Sequence, residues 1–261
     1  MIVGVTGGKG GTGKSTIATA LAYELGQSSK VLLVDADVDC PNDHLLLGIE
    51  RSVLRSVRQR IPTFGTDRCN RCGRCADVCR MNAIIVGKDP VLFPAQCNGC
   101  GACQIICATD AIRWSEKAVG TLYTGNAHSI ELLSGELLPN EPMSETIVHA
   151  LLGSMNPGNY DHVIIDTAAG THCPVVAALK PCERIFLVTE PTPFGKHDLG
   201  LMQELIERIG KQASIILNRS DIDTANIDAE WHIPHTKEIA AAYASGKPAQ
   251  HPTIKKIVES L

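Results

Sequence analysis

One run of residues constrains the fold of this chain more than any other. Gly7-Gly-Lys-Gly-Gly-Thr-Gly-Lys-Ser-Thr16 joins a short β-rich segment, Met1-Ile-Val-Gly-Val-Thr6, to a stretch with apolar residues at Ile17, Leu21 and Leu25. That spacing predicts a helix over 17–27 preceded by a strand. The glycine run fits two patterns. Gly8, Gly10 and Gly13 make a G-x-G-x-x-G dinucleotide fingerprint, with Asp35 at about the distance of a ribose contact. Gly8 to Ser15 also makes a G-x-x-x-x-G-K-S phosphate loop. Lys14-Ser15 decides for the phosphate loop, because a dinucleotide loop has no need of a lysine there. Lys14 is expected to reach the β/γ-phosphates and Ser15 to ligate Mg²⁺. The backbone N–H groups of Gly8, Lys9, Gly10, Gly11, Thr12, Gly13 and Thr16 would cradle the anion at the helix start.

The strand–helix pattern continues. Val31-Leu-Leu-Val34 is fully apolar and ends in Asp35-Ala-Asp37. Val163-Ile-Ile165 ends in Asp166, Ile185-Phe-Leu-Val188 in Thr189-Glu190-Pro191, and Ser214-Ile-Ile-Leu217 in Asn218. Helical stretches fall near 172–180 and 196–210. Uninterrupted apolar strands imply a sheet covered on both faces, and polar residues after each strand imply ligands at the carboxyl edge. The expected fold is α/β: a doubly wound, mostly parallel sheet.

The loop Lys9-Gly-Gly-Thr-Gly-Lys-Ser15 resembles the deviant phosphate loop of the MinD/ParA/Mrp and nitrogenase-iron-protein group of ATPases. The resemblance implies that Lys9 crosses a dimer interface to the partner's nucleotide. Asp35-Ala-Asp37-Val-Asp39 resembles switch I, with Asp37 matching the aspartate that orients the attacking water. Val163-Ile-Ile-Asp-Thr-Ala-Ala-Gly170 is similar to Walker B plus switch II. It implies Asp166 in the Mg²⁺ shell and the Gly170 amide as a γ-phosphate sensor. Asn218-Arg219 matches the adenine-recognising asparagine. For each aspartate alone, a helix N-cap is the plain alternative.

Between Ile61 and Ser115 the alternation stops. The chain has eleven cysteines, and eight lie between Cys69 and Cys107. They form a repeat: Cys69-x2-Cys72-x2-Cys75-x3-Cys79, then Cys97-x2-Cys100-x2-Cys103-x3-Cys107. Met81-Asn-Ala-Ile84 and Thr109-Asp-Ala-Ile112 extend it. Clustered thiols in an odd count, in a chain that begins without a signal-peptide pattern, read as metal ligands rather than disulfides. Two such motifs imply two [4Fe–4S] clusters, one on Cys69, Cys72, Cys75 and Cys107, the other on Cys97, Cys100, Cys103 and Cys79. Zinc is the alternative for these thiols. The segment resembles a bacterial two-cluster ferredoxin, except that Arg80 and Ala108 stand where that pattern has proline. The expected organisation is ATPase residues 1–60, a ferredoxin-like insert at 61–115, and ATPase residues 116–261. Arg68, Arg71, Arg74 and Arg80 crowd the first motif. They read as offsets to cluster charge, as solvated surface, or as a docking face for an acidic redox partner.

Three cysteines lie outside the insert. Cys40 and Cys182 read as small packing residues or unreactive thiols. Cys173 lies seven residues after Asp166, as does the cysteine that holds an intersubunit cluster in the nitrogenase iron protein. No second bridging cysteine stands in 116–165, so the expectation is at most a thiol pair across a dimer axis.

Net charge is −4 and aromatics are 4%, which argues against a nucleic-acid protein. No apolar run reaches the length of a membrane span. The tail Pro252-Thr-Ile-Lys-Lys-Ile-Val-Glu-Ser-Leu261 is too short to hold a membrane strongly and is expected to cap the fold. The expected protein is cytoplasmic and a homodimer when it binds ATP. It would couple Mg²⁺-dependent ATP hydrolysis to electron transfer, or to metallocofactor assembly on a partner. A cluster scaffold or carrier and a redox-sensing MinD-like regulator are the alternatives.

Overall fold

Each uninterrupted apolar run becomes a central strand. The computed structural model describes residues 1–222 and 225–261. In chain order the elements are β1 (Ile2–Thr6), α1 (Lys14–Leu25), β2 (Val31–Ala36), α2 (Asp43–Leu46), β3 (Ser52–Phe64), α3 (Arg74–Asp77), β4 (Ile84–Val86) and β5 (Pro90–Leu92). Next come α4 (Ala102–Ile105), β6 (Ile112–Ala127), β7 (Ile130–Leu137), α5 (Ser144–Leu152), β8 (His162–Thr167) and α6 (Cys173–Leu179). The chain ends with β9 (Arg184–Thr189), α7 (Pro193–Arg208), β10 (Ala213–Asn218), β11 (Trp231–Ile233), α8 (Lys237–Ala244) and α9 (Pro252–Glu259).

One sheet has nine strands in the order β11-β10-β9-β1-β8-β2-β7-β6-β3. From β11 to β7 every pair is parallel; β6 is antiparallel to both β7 and β3. Successive residues of β2 feed opposite faces. Leu32 and Val34 pack with Ile147, Leu151, Val175 and Met202 of α5, α6 and α7. Val31 and Leu33 pack with Ile17 and Leu21 of α1 and Ile254 and Ile257 of α9. Both faces are covered, as a parallel sheet requires. The C-terminal segment therefore lies in the core as α9, with Ile257 fully buried.

β3 and β6 form a long antiparallel ribbon at one edge of the sheet. Their sequences, rich in charge and polar residues, carry no continuous apolar run, and the sequence reading has no strand over 52–60. The expected boundaries at 61 and 115 fall inside the ribbon strands. Residues 65–111 occupy the tip.

That tip has an internal two-fold likeness with a 28-residue offset, from Cys69 to Cys97. The hairpin β4–β5 pairs Ile84 with Leu92 and Val86 with Pro90. The ribbon end pairs Ile112 with Phe64 and Trp114 with Pro62, the same register 28 residues away. Helices α3 and α4 both start after a left-handed glycine, Gly73 (φ 81°) and Gly101 (φ 84°). The Cys72 amide donates to Asn70 Oδ1 at 3.3 Å, and that of Cys100 to Asn98 Oδ1 at 3.2 Å.

Candidate functional site

The phosphate loop closes on itself and on the strand ends around it. Lys14 is buried, and its Nζ donates to the Lys9 carbonyl at 3.1 Å. Gly13 (φ 94°) leads into α1 with no side chain capping the helix, so its first amides are open to an anion. A Cβ on Gly13 would strike the Asn218 side-chain amide. Asn218 Nδ2 donates to the Thr12 carbonyl at 2.8 Å, and Oδ1 accepts from the Arg219 amide at 3.0 Å. An open cleft of about 480 Å³ lies against this loop, lined by Lys14, Ser15, Asp37, Asn218, Arg219 and Tyr243 among others. Gly10, Gly11 and Thr16 also face it, whereas Thr12 is buried beneath the loop. The Gly8 backbone packs so tightly on Asp198 that a Cβ would fall 2.7 Å from it.

Acidic groups converge from three elements. Ser15 Oγ donates to Asp166 Oδ2 at 2.6 Å. Asp166, Asp35 and Asp43 are all buried, with ligand atoms within 4.8 Å of one another. Asp35 accepts from the amides of Asp37 (3.3 Å) and Asp43 (3.2 Å). Both Asp43 carboxylate oxygens and Asp166 Oδ1 are buried without a hydrogen-bond partner among the described residues. Burial, against the pull of Ser15 and Lys14, pushes Asp166 up to about 7. Burial and mutual repulsion raise Asp35 and Asp43 well above the carboxylate range. Asp37 is raised by burial and held back by Lys14. Lys14 is lowered by burial, opposed by Asp166 and Asp37.

Two residues here are absent from the sequence-based site. Asp43 follows Asn42 in what reads as a plain loop, and only the fold carries it under Asp35. Glu190 reads as a strand-end residue. It bridges Lys9 Nζ and Arg219 Nη1, each at 2.9 Å, and these two cations outweigh its burial and lower its pKa. The Gly170 amide donates to the Gly7 carbonyl at 3.0 Å and is committed within the chain. Cys173 is exposed at the start of α6. Cys182 is buried, its thiol pushed up to about 12 by burial, while Cys40 is exposed rather than packed.

A model of the CobQ/CobB/MinD/ParA nucleotide binding domain matches residues 3–249. The chain belongs to this family. Within the CobQ/CobB/MinD/ParA family, an uncharacterized protein of Methanocaldococcus jannaschii is 34% identical over 248 residues, 95% of this chain and 90% of that one. The septum site-determining protein MinD of Thermotoga maritima is 25% identical over 222 residues, 84% of this chain and 64% of the relative. The fold matches MinD of Pyrococcus horikoshii, solved with Mg-ADP, at TM-score 0.62 and 19% identity over 99% of this chain and 94% of that one. It also matches a ParA family ATPase of Chlorobium tepidum at TM-score 0.58 and 16% identity over 100% and 99%. The architecture is that of a MinD/ParA-type P-loop ATPase. No helix among the described residues is long and apolar enough to cross a membrane.

The cysteine-rich tip forms two small cavities. One is lined by Cys69, Cys72, Cys75 and Cys107, the other by Cys97, Cys100, Cys103 and Cys79. The fourth cysteine of each set comes from the other motif. Cys79 Sγ accepts from the Ala83 amide and Cys107 Sγ from the Ala111 amide, both at 3.3 Å.

Proposed function

We propose that this chain is an ATP-binding and ATP-hydrolysing switch that forms a homodimer on ATP binding and carries two [4Fe–4S] clusters. It couples hydrolysis to electron transfer or to metallocofactor assembly on a partner protein. The carrying observation is the pair of four-cysteine cavities on a ribbon joined to the sheet of a P-loop ATPase. Each cavity takes its fourth thiol from the other motif, the exchange made by C-x2-C-x2-C-x3-C runs in two-cluster ferredoxins. The Ala111 amide and Thr109 outweigh burial at Cys107 and lower its thiol pKa, favouring the thiolate there. Structural zinc sites draw their ligands from separated C-x2-C pairs, whereas three cysteines at C-x2-C-x2-C spacing with a fourth from the other run are the cubane pattern. Bound clusters would supply one-electron storage. Residues 61–115 then act as a ferredoxin-like unit between the two ATPase segments.

In the nucleotide half, Lys14 and the loop amides hold the phosphates, and Ser15 ligates Mg²⁺ with Asp166 behind it. Asp37 orients the attacking water. Lys9 serves the partner's nucleotide, Gly170 senses the γ-phosphate, and Asn218 with Arg219 faces the adenine. In the monomer three of these groups are engaged internally. Lys9 is paired with Glu190, Asn218 with Thr12, and Gly170 with Gly7. Closure therefore requires these contacts to be exchanged. The setting is cytoplasmic, and the net charge of −4 disfavours nucleic acid as the partner. Cys173 stands where a thiol pair can meet across a dimer axis.

The test is anaerobic purification with iron and sulfide analysis. About eight of each per chain is expected, four of each per cubane, with an EPR signal typical of [4Fe–4S]⁺ after reduction. Stoichiometric zinc without sulfide would refute it.

A further inference from the structure

The likeness between the two halves of the tip supplies an internal control for the arginines around the first motif. With the 28-residue offset, Arg68, Arg71, Arg74 and Arg80 correspond to Gln96, Gly99, Ala102 and Ala108. The second half builds the same turns, the same short helix and the same four-thiol cavity with no arginine or lysine from Phe93 to Ala111. The fold and the thiol set therefore do not demand these arginines. Arg71 even occupies a left-handed backbone (φ 60°) where its counterpart is Gly99 (φ 73°).

The two halves also sit differently. The second is anchored to the ribbon and the sheet. Gln59 donates to the Cys97 carbonyl at 2.7 Å, Lys117 to the Pro94 carbonyl at 2.7 Å and to Glu141 at 2.6 Å, and Arg60 lies over the Trp114 ring. In the first half the corresponding hairpin β4–β5 ends in a free turn, so the Cys69–Cys72–Cys75–Cys107 cavity is the distal one. Arg71 is spent on that turn, bonding the Lys88 carbonyl and Asp89. Arg68 makes only a 3.8 Å pair with Asp110. Arg74 and Arg80 are exposed and have no ion pair among the described residues. The acidic groups within this half are Asp67, Asp77 and Asp89, and Asp110 reaches Arg68 from the other motif, against four arginines and Lys88.

We infer that the exposed arginines of this half, Arg68 and Arg74 at the distal cavity and Arg80 beside Cys79, form a docking surface for an acidic electron-carrier protein. The inference rests on the cluster reading for the partner's chemistry, and on charge asymmetry for the surface itself. Exposed arginines steer and orient an acidic partner, and salt screens them. RNA fits the face less well: aromatics for base stacking are sparse and three aspartates are interspersed.

The test is calorimetric titration of the intact anaerobic protein with an acidic plant-type ferredoxin, with basic cytochrome c and a single-stranded RNA as the other arms. The variant R68Q/R74A/R80A installs the residues that the second half already uses, so the turns are retained. Wild type is expected to bind the ferredoxin, losing about tenfold in affinity from low to physiological salt, and to ignore cytochrome c. The triple variant is expected to lose about tenfold or more at low salt, with iron and sulfide contents unchanged. Absence of ferredoxin binding, equal binding by the variant, or arginine-dependent binding of RNA in its place overturns the docking surface. A preparation with no iron and sulfide overturns the cluster reading instead, and the same titration still tests the face.

Discussion

The Lys9 ammonium lies 2.9 Å from Glu190 Oε1, held inside its own chain rather than presented outward. Glu190 Oε2 takes Arg219 at the same distance. In the proposed dimer, where Lys9 crosses to the other subunit's phosphates, it has first to leave this pair. Lys9 is 39% exposed, so the pair is worth no more than about 1 kcal/mol. Glu190→Gln should therefore lower the ATP concentration needed for dimerisation by about two- to fivefold. Lys9→Ala should leave ATP binding by the monomer nearly intact and abolish ATP-dependent dimerisation and hydrolysis. Light scattering and phosphate release separate the two. A Lys9→Ala protein that dimerises and turns over normally would remove the cross-subunit role.

Lys14 is the buried cation nearest Asp166 and Asp37. Lys14→Ala removes the proposed phosphate partner and leaves those carboxylates unopposed. Nucleotide affinity should fall at least about a hundredfold, and thermal stability should fall as well, because burying an uncompensated charge is costly. Equilibrium dialysis with labelled ATP measures the first effect, and calorimetric melting the second.

The buried carboxylates set a pH dependence. Asp166 titrates at about 7, and Asp35 and Asp43 are raised as well. In the unfolded chain all three release their protons near pH 4. Between those limits the native state binds more protons than the unfolded state, so stability falls as pH rises from about 4 through about 7. Nucleotide-free, Mg²⁺-free protein should melt lower at about pH 8 than at about pH 5.5. Asp43→Asn removes one charge and gives a donor to partnerless oxygens. It should stabilise the protein by about 1–3 kcal/mol at the higher pH and flatten the slope. An unchanged slope in Asp43→Asn would show that the three groups do not titrate together.

The proposed crossed ligation has its own signature. Cys69→Ser and Cys107→Ser should damage the same cluster although 107 belongs to the second motif. The Cys69→Ser/Cys107→Ser protein should retain about four iron atoms, and Cys69→Ser/Cys79→Ser none. Ligation within each motif predicts the reverse for these two proteins.

What the sequence disclosed depended on how locally each feature is encoded. β1, β2, β8, β9 and β10 were legible because strands buried on both faces must be apolar throughout. The ribbon strand β3 was not: Arg55, Arg58, Gln59 and Arg60 mix polar residues into an edge strand, where polar side chains are at no disadvantage. β7 carries Glu131, Ser134 and Glu136 and hides its apolar residues among them. The phosphate loop and the cysteine motifs are contiguous, so their grouping could be read directly. Glu190 and Asp43 reach the site only through strand order, which pairs β1 with β9 and β2 with β8. No single stretch records that.

The strand order also gives the proposed coupling a physical route. The segment proposed as switch I begins at the end of β2, and the Val38 carbonyl there accepts the Leu137 amide at 2.8 Å. The Leu138 amide donates to the Val119 carbonyl at 2.9 Å, which joins β7 to the ribbon strand β6. Two residues along β6, Lys117 grips Glu141 and the carbonyl of Pro94, three residues before Cys97. A nucleotide-driven shift at Asp37 thus meets a continuous hydrogen-bonded path to the anchored half of the tip. Contiguity alone does not establish coupling; a free-energy difference between nucleotide states does. Typical couplings of about 1–3 kcal/mol correspond to about 40–130 mV, since about 59 mV is tenfold for one electron. Asp37→Ala protein arrested with ATP should differ from the ADP form by that scale in midpoint potential, or by about five- to a hundredfold in partner affinity. By linkage, reduction should change ATP affinity by the same free energy that ATP adds to the potential. Lys117→Ala should diminish this coupling while leaving the ATP affinity of the oxidised protein unchanged, because Lys117 touches the tip and not the nucleotide cleft. Redox titration of both nucleotide forms, in wild type and Lys117→Ala, decides the matter. Identical potentials and identical partner affinities in the two forms would make the cysteine-rich tip a passenger on the ATPase.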